Sequence, residues 1–278
     1  MGQERNLTKQ INALSTDCVR VIQITDSHIF SEDEGKLLGL NTRVSLEAVL
    51  ERISKEEFAP DMVLVTGDLS QDASENSYQY LYHKLQDMGV PCFWIPGNHD
   101  NPEVMAKVLE GGNVYSDKQL LSGNWQIVML DSSVKGKVYG NISDQDIELL
   151  ERAQQQYPDK HLLVVMHHQP VPVGSNWLDN LGIKNPQMLF DSVQKHQATR
   201  CFLWGHVHQD YSGEQQGVVL LSTPSTCVQF KPGSSDFSAG EEAPGYRYLT
   251  LHNNGQIESV VHRIHDIEFT VDYTIKGY

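Results

Sequence analysis

The chain alternates between two kinds of segment. Short runs rich in Val, Ile, Leu and other apolar residues recur at "CVRVIQIT" (18–25), "MVLVT" (62–66), "PCFWIP" (91–96), "QIVMLD" (126–131), "HLLVVM" (161–166) and "CFLW" (201–204). Their length and near-continuous apolar character predict strands covered on both faces. Longer amphipathic stretches lie between them. In "NTRVSLEAVLERISKE" (41–56) the apolar residues Val44, Leu46, Val49, Leu50 and Ile53 fall at helical spacing, and "SDQDIELLERAQQQ" (143–156) opens on Ser143 and Asp146, a capped helix start. Strand and helix in alternation predict an α/β fold.

Beyond residue 215 the pattern changes. "GVVLLSTPS" and "GYRYLTLHNNGQIESVVHRIH" read as strands, with Asn253, Asn254 and Gly255 as a hairpin turn, and strands added in this way would complete a second sheet. The Gly-, Ser- and Pro-rich piece 230–245, "FKPGSSDFSAGEEAPG", is expected as a long loop, either mobile or laid over a site. No repeat or low-complexity linker divides the 278 residues, so one domain over 1–278 is the simplest organisation.

Composition narrows the function classes. Asp and Glu outnumber Lys and Arg by 36 to 21, a formal net charge of -15, which argues against a nucleic-acid partner because backbone affinity is built from clustered cations. Cys18, Cys92, Cys201 and Cys227 are far apart and sit mostly in apolar runs, as free thiols of a reduced, cytoplasmic protein would. The opening "MGQERNLTKQINALSTDC" shows no continuous apolar run and no stretch elsewhere is long enough to span a bilayer, so neither export nor membrane insertion is expected.

The chemistry gathers where strands end. "QITDSHIF" gives Asp26 and His28, "LVTGDLSQD" gives Asp68, "WIPGNHD" gives Asn98, His99 and Asp100, "VVMHHQP" gives His167 and His168, and "LWGHVHQD" gives His206 and His208. Singly, each has an ordinary explanation as a turn, a helix cap or a satisfied polar residue. Five such strand ends together argue for one site, because ligands bind at the carboxyl ends of strands in open α/β sheets and such groups are costly to bury unless paired or coordinated. If the chain stays extended, His206 and His208 share a face and His168 points away from its neighbour, as a structural group. Imidazole, carboxylate and amide oxygen without thiolate suit Mn, Fe, Co or Zn.

The order D-x-H, G-D, G-N-H-D, H-H, G-H-x-H, from Asp26 to His208, resembles that of the calcineurin-like binuclear metallophosphoesterases. The resemblance implies a four-layer α/β-β/α sandwich of two mixed sheets flanked by helices. It also implies two divalent metal ions, one on Asp26, His28, Asp68 and His208, the other on Asp68, Asn98, His167 and His206, with Asp68 bridging. Two such ions hold a hydroxide between them and leave a local excess of positive charge to meet a phosphate, even on an acidic protein. His99, spared from ligation, would stabilise charge on phosphate or protonate the leaving oxygen, with Asp100 orienting its ring.

Further stretches, "DSHIFSEDEGKLLGLNT", "GDLSQDASENSYQYL", "NWLDN" and "LSTPSTCVQFKP", are similar to those of bacterial class III 3',5'-cyclic AMP phosphodiesterases, from near residue 19 to the terminal "GY". That similarity implies hydrolysis of cyclic AMP to 5'-AMP by the metal-bridging hydroxide, the phosphate lying against His28, Asp68, Asn98, His99 and His208. Trp177 and the stretch 222–226 are candidates for the base pocket on the same ground, with loop packing as the alternative for Trp177. A broader phosphodiesterase or phosphomonoesterase remains the other enzyme reading. A scaffold without chemistry would show eroded ligand positions, and here each is filled. The oligomeric state stays open, a homodimer among the alternatives.

Overall fold

The structure is a computed structural model that describes residues 8–277. The expectation of no export signal rests partly on residues 1–7, which lie outside the described residues, as does Tyr278.

The first half runs β1 (Thr8–Gln10), β2 (Cys18–Ile24), β3 (Lys36–Leu37), β4 (Leu40–Asn41), α1 (Thr42–Ile53), β5 (Met62–Thr66), α2 (Glu75–Asp87), β6 (Cys92–Ile95), α3 (Pro102–Val108), β7 (Val114–Tyr115), β8 (Gln119–Ser122) and β9 (Trp125–Met129). The second continues with α4 (Asp144–Gln156), β10 (His161–Val165), α5 (Asn176–Asp179), α6 (Gln187–His196), β11 (Thr199–Trp204), β12 (Tyr211–Gln215), β13 (Val218–Ser222), β14 (Gly245–His252) and β15 (Ile257–Arg263). The predicted helix starts are capped as their sequences suggest. The Asn41 side chain accepts from the N–H groups of Arg43 and Val44, and Ser143 accepts from that of Asp146.

Two mixed sheets carry the fold. One has seven strands in the order β1-β8-β9-β10-β11-β13-β12, the other six in the order β15-β14-β2-β5-β6-β7. The strands that precede the polar clusters run parallel within each sheet, β2 with β5 and β6, and β10 with β11. Their carboxyl ends therefore open on one side. Alternation along each strand explains the near-continuous apolar runs. Val19 and Val21, Met62 and Leu64, Phe93 and Ile95 face Leu163 and Val165, Cys201 and Leu203 in a core between the sheets. The alternate residues Ile22, Ile24, Val63, Val65 and Trp94 pack outward under α1, α2 and α3, while Leu162, Val164, Phe202 and Trp204 pack outward with residues of α4 and α6. Helix, sheet, sheet and helix thus form four layers.

The strands after residue 215 divide between the sheets rather than completing one. β13 extends the seven-stranded sheet beside β11, and β12, which carries only five residues, half-buried to exposed, pairs with it. β14 and β15 extend the six-stranded sheet beside β2 as a hairpin turning at residues 253–255. Segment 230–245 is a loop up to Gly245, where β14 begins, apart from a bridge between Phe230 and Ala239. No helix among the described residues is long and apolar enough to cross a membrane.

Candidate metal centre

The ends of β2, β5 and β6 deliver Asp26, His28, Asp68, Asn98 and His99 from one sheet, and the ends of β10 and β11 deliver His167, His206 and His208 from the other. The structure brings them together. Asp26, His28 and His208 present ligand atoms within 4.8 Å of one another, as do Asp26, Asp68 and His167. All five of these residues are buried, and His206 is only 5% exposed. Asn98 and His99 are half-buried.

The backbone that achieves this is not extended. Asp26, His28, Asp68, His206 and His208 all have left-handed backbone, with φ between 46° and 64°. His206 and His208 thus reach the site on left-handed backbone beyond the end of β11, which corrects the expectation of a shared strand face. A left-handed L-residue costs about 1–2 kcal/mol, so five in one shell mark a site where geometry is kept at the expense of backbone ease.

Glycine permits the approach of the two halves. Gly67 has φ of +90°, and a β-carbon there would collide with the His167 ring and approach the Gly97 nitrogen to 2.8 Å. At Gly205 a β-carbon would strike the Thr25 hydroxyl and lie 2.7 Å from Asp26 Oδ2. The close approach is used: the His206 N–H donates to both Asp26 carboxylate oxygens, at 3.1 and 3.0 Å, and the Thr25 hydroxyl donates to Oδ2 at 2.7 Å. Ser225, in the stretch 222–226, donates its hydroxyl to the Asp26 carbonyl at 2.7 Å.

Hydrogen bonds set the imidazole tautomers. His167 Nδ1 lies 2.8 Å from the Thr66 carbonyl, His208 Nδ1 lies 2.7 Å from the Val228 carbonyl, and His28 Nδ1 lies 2.6 Å from Gln71 Oε1. Each partner is an acceptor, so each Nδ1 carries a proton, and in the neutral ring each Nε2 keeps a lone pair. Those lone pairs converge. His28 Nε2 and His208 Nε2 are 3.2 Å apart, and His208 Nε2 is 3.3 Å from Asp26 Oδ1. On the other side His167 Nε2 is 3.3 Å from Asp68 Oδ2, outside hydrogen-bond geometry. Asn98 Oδ1, His167 Nε2 and His206 Nε2 are buried with no hydrogen-bond partner. Three orphaned, buried ligand atoms on the loops that end these strands are what a cation would satisfy. Two nitrogens about 2.1 Å from one metal and at right angles would be about 3 Å apart, close to the separation seen.

Burial and charge together set the protonation pattern. Burial, helped by His99, lowers the His28 pKa to about 3, and burial holds that of His206 well below its usual value. Both therefore stay neutral. At His167 burial opposes protonation, but the Asp68 carboxylate outweighs it and raises the pKa to about 9. Asp68 itself is held well below the usual carboxylate range: burial would raise it, and His167 and His99 prevail. Electrostatically, Asp68 is calling for positive charge.

A family model described as calcineurin-like phosphoesterase matches residues 19–210, which hold Asp26, His28, Asp68, Asn98, His99, His167, His206 and His208. The chain belongs to the calcineurin-like phosphoesterase family. The chain is 44% identical to the 3',5'-cyclic adenosine monophosphate phosphodiesterase CpdA of Pseudomonas aeruginosa, over 98% of this chain and 100% of that one. It is 40% identical to the protein of the same name from Escherichia coli K12, over 94% and 95%. The fold is similar to that of a dimetal phosphatase from Danio rerio, with a TM-score of 0.61 at 14% identity over 88% of this chain and 99% of that one.

Two neighbouring residues of the phosphoesterase centre hold it in place. His168 lies within ligand distance of His167 and His206, yet both its ring nitrogens are taken, Nδ1 by the Ser132 hydroxyl at 2.8 Å and Nε2 by the Val138 carbonyl at 3.1 Å. It packs against the His206 ring, centroids 4.6 Å apart. Asp100, expected to orient His99, instead turns its carboxylate to the N–H groups of Leu69, Ser70 and Gly97 and to the Tyr78 hydroxyl, at 2.9 to 3.2 Å. These four donors use its lone pairs, so Asp100 anchors the Asp68 loop to the Asn98 loop. His99 keeps its own place through its N–H, which donates to Asp68 Oδ1 at 2.9 Å, and its ring meets that of His28 edge-on at 5.0 Å.

The base-pocket candidates make packing contacts in the fold. Residues 222–230 are buried and serve as buttress, with Ser45 donating to the Thr226 carbonyl and Phe230 stacked on His208 at 4.1 Å. Trp177 packs edge-on against Phe230 and Phe237 and donates to Ser234. Gln71, Ser132 and Val228 had no signal in the sequence, since each meets its histidine across 20 to 43 positions.

Proposed function

We propose that this chain is a metal-dependent 3',5'-cyclic AMP phosphodiesterase yielding 5'-AMP. Two divalent ions would be held, one by Asp26, His28, Asp68 and His208, the other by Asp68, Asn98, His167 and His206, Asp68 being common to both. The donor set, nitrogen and oxygen without sulfur, favours Mn, Fe, Co or Zn. Bound there, such ions would supply Lewis acidity for the phosphate and a water acidic enough to act as nucleophile at neutral pH.

The protein's own contributions are binding, charge and proton management. Acceptors at Nδ1 aim the Nε2 atoms of His28, His167 and His208 at the site, and His167, whose pKa Asp68 raises to about 9, would give up a proton as a cation took its place. His99 and Asn98, half-buried where the others are buried, border the open side that a phosphate would enter. His99 donates a hydrogen bond to a phosphate oxygen and then a proton to the departing ribose 3' oxygen. The substrate phosphate also lies against His28, Asp68 and His208. The acidic surface, with formal charge -15, favours a small nucleotide over a nucleic acid. We place the protein in the cytoplasm, consistent with four free cysteines.

The observation that carries this reading is the set of orphaned, buried donor atoms of Asn98, His167 and His206 in a chain similar end to end to cyclic AMP phosphodiesterases. The test is a comparison of 3',5'-cyclic AMP, 2',3'-cyclic AMP and p-nitrophenyl phosphate with added Mn or Fe. The 3',5'-cyclic substrate should be turned over fastest. If it is the poorest of the three, a broader phosphoesterase replaces this reading.

A further inference from the structure

We propose that Gln71 is a positioning residue that selects the tautomer with which His28 takes up a divalent metal. The inference rests on the phosphodiesterase reading above and concerns one half of its metal pair.

The contacts that fix the three imidazoles differ in kind. His167 and His208 give their Nδ1 protons to main-chain carbonyls, of Thr66 and Val228, which no substitution removes. His28 gives its proton to a side chain, at 2.6 Å. The orientation of that amide follows from the other end of the ring. His28 Nε2 faces His208 Nε2 at 3.2 Å and belongs with Asp26 to one ligand-distance group, so it must keep a lone pair and Nδ1 must hold the proton. Only the oxygen of the Gln71 amide can accept it.

Main-chain pairing puts Gln71 there whatever its side chain. The Gln71 N–H donates to the Ile29 carbonyl at 3.0 Å, and the Ile29 N–H donates to the Leu69 carbonyl at 3.0 Å, so the loops after β2 and β5 run together for a few residues. The next residue secures the same junction: Asp72 accepts from the N–H groups of Ser31, at 2.7 Å, and Ser74, at 3.0 Å. A substitution at position 71 therefore removes the acceptor and leaves its scaffold. Loss of that acceptor removes the hydrogen bond that favours the Nδ1 tautomer, and the ring can turn its N–H toward the site, where it repels a cation. An amide also polarises the ring less than a carboxylate would, so the metal held through His28 should bind more loosely than a carboxylate partner would make it.

The experiment titrates Co2+ alone into metal-free full-length wild type, Gln71→Met and Gln71→Glu, following bound equivalents by visible absorption and elemental analysis, with melting of each metal-free protein as a control. Wild type should take two equivalents. Gln71→Met should melt as wild type, keep one equivalent and bind the other about 10- to 100-fold more weakly, and Gln71→Glu should restore it. Two equivalents bound by Gln71→Met as in wild type, equal weakening of both, a lowered metal-free melting temperature, or no rescue by Glu would overturn the role of Gln71. Wild type taking up no cobalt would overturn the metal-centre reading beneath it.

Discussion

His28 Nε2 and His208 Nε2 lie 3.2 Å apart although the residues are 180 positions apart in sequence. Both rings donate Nδ1–H elsewhere, so two lone pairs face each other in a buried shell. Two such atoms at that distance repel unless a proton or a cation lies between them. Metal should therefore stabilise the fold, by about 2.7 kcal/mol at a concentration 100 times its dissociation constant. A chelator should lower the melting temperature, and manganese should restore it in a concentration-dependent way; a melting temperature indifferent to both would contradict this.

His99 borders the site with its ring beside His28 and is not needed to complete either donor set. His99→Ala should keep full metal content while kcat for cyclic AMP falls by about 100- to 10,000-fold, the usual worth of a general acid. Loss of metal in parallel with turnover would make His99 a ligand instead.

Gly205, just beyond β11, lies against Thr25 and Asp26 of the other sheet. Gly205→Ala places a methyl group against the Thr25 hydroxyl and the Asp26 carboxylate, both on the six-stranded sheet's side. Over-packing of this sort costs about 1–3 kcal/mol. Denaturant unfolding should report that loss with m unchanged, and the variant should retain less metal. Wild-type stability would mean that the halves can separate freely.

Burial pushes the thiols of Cys92, Cys201 and Cys227 up to about 12. The thiolate is the nucleophile, and a group with that pKa is ionised only to about one part in ten thousand at pH 8. Iodoacetamide should leave these three unmodified in the native protein at that pH and alkylate them in denaturant. Rapid native alkylation, read by mass spectrometry, would show that the core opens readily.

Strand composition and helix capping made the α/β layers legible, because near-continuous apolar runs such as Met62–Thr66 can only be strands with two covered faces. β12 was not legible: "YSGEQ" holds one aromatic residue and pairs only because β13 is beside it. The ligand-type residues were legible from their clustering at strand ends. Their geometry was not, since left-handed backbone at Asp26, His28, Asp68, His206 and His208 is set by tertiary contacts and contradicts the preference of each residue. The partners were equally silent. Gln71 and Ser132 look like ordinary loop polars until folding brings them to His28 and His168, and Asp100 beside His99 in sequence turns to Leu69, Ser70 and Gly97 in space.

Turnover of cyclic AMP should depend wholly on bound metal. Protein stripped with a chelator, dialysed, and then supplied with measured equivalents of manganese or iron should go from no detectable 5'-AMP to full rate as two equivalents bind. Undiminished 5'-AMP production by protein shown to contain no metal would contradict it.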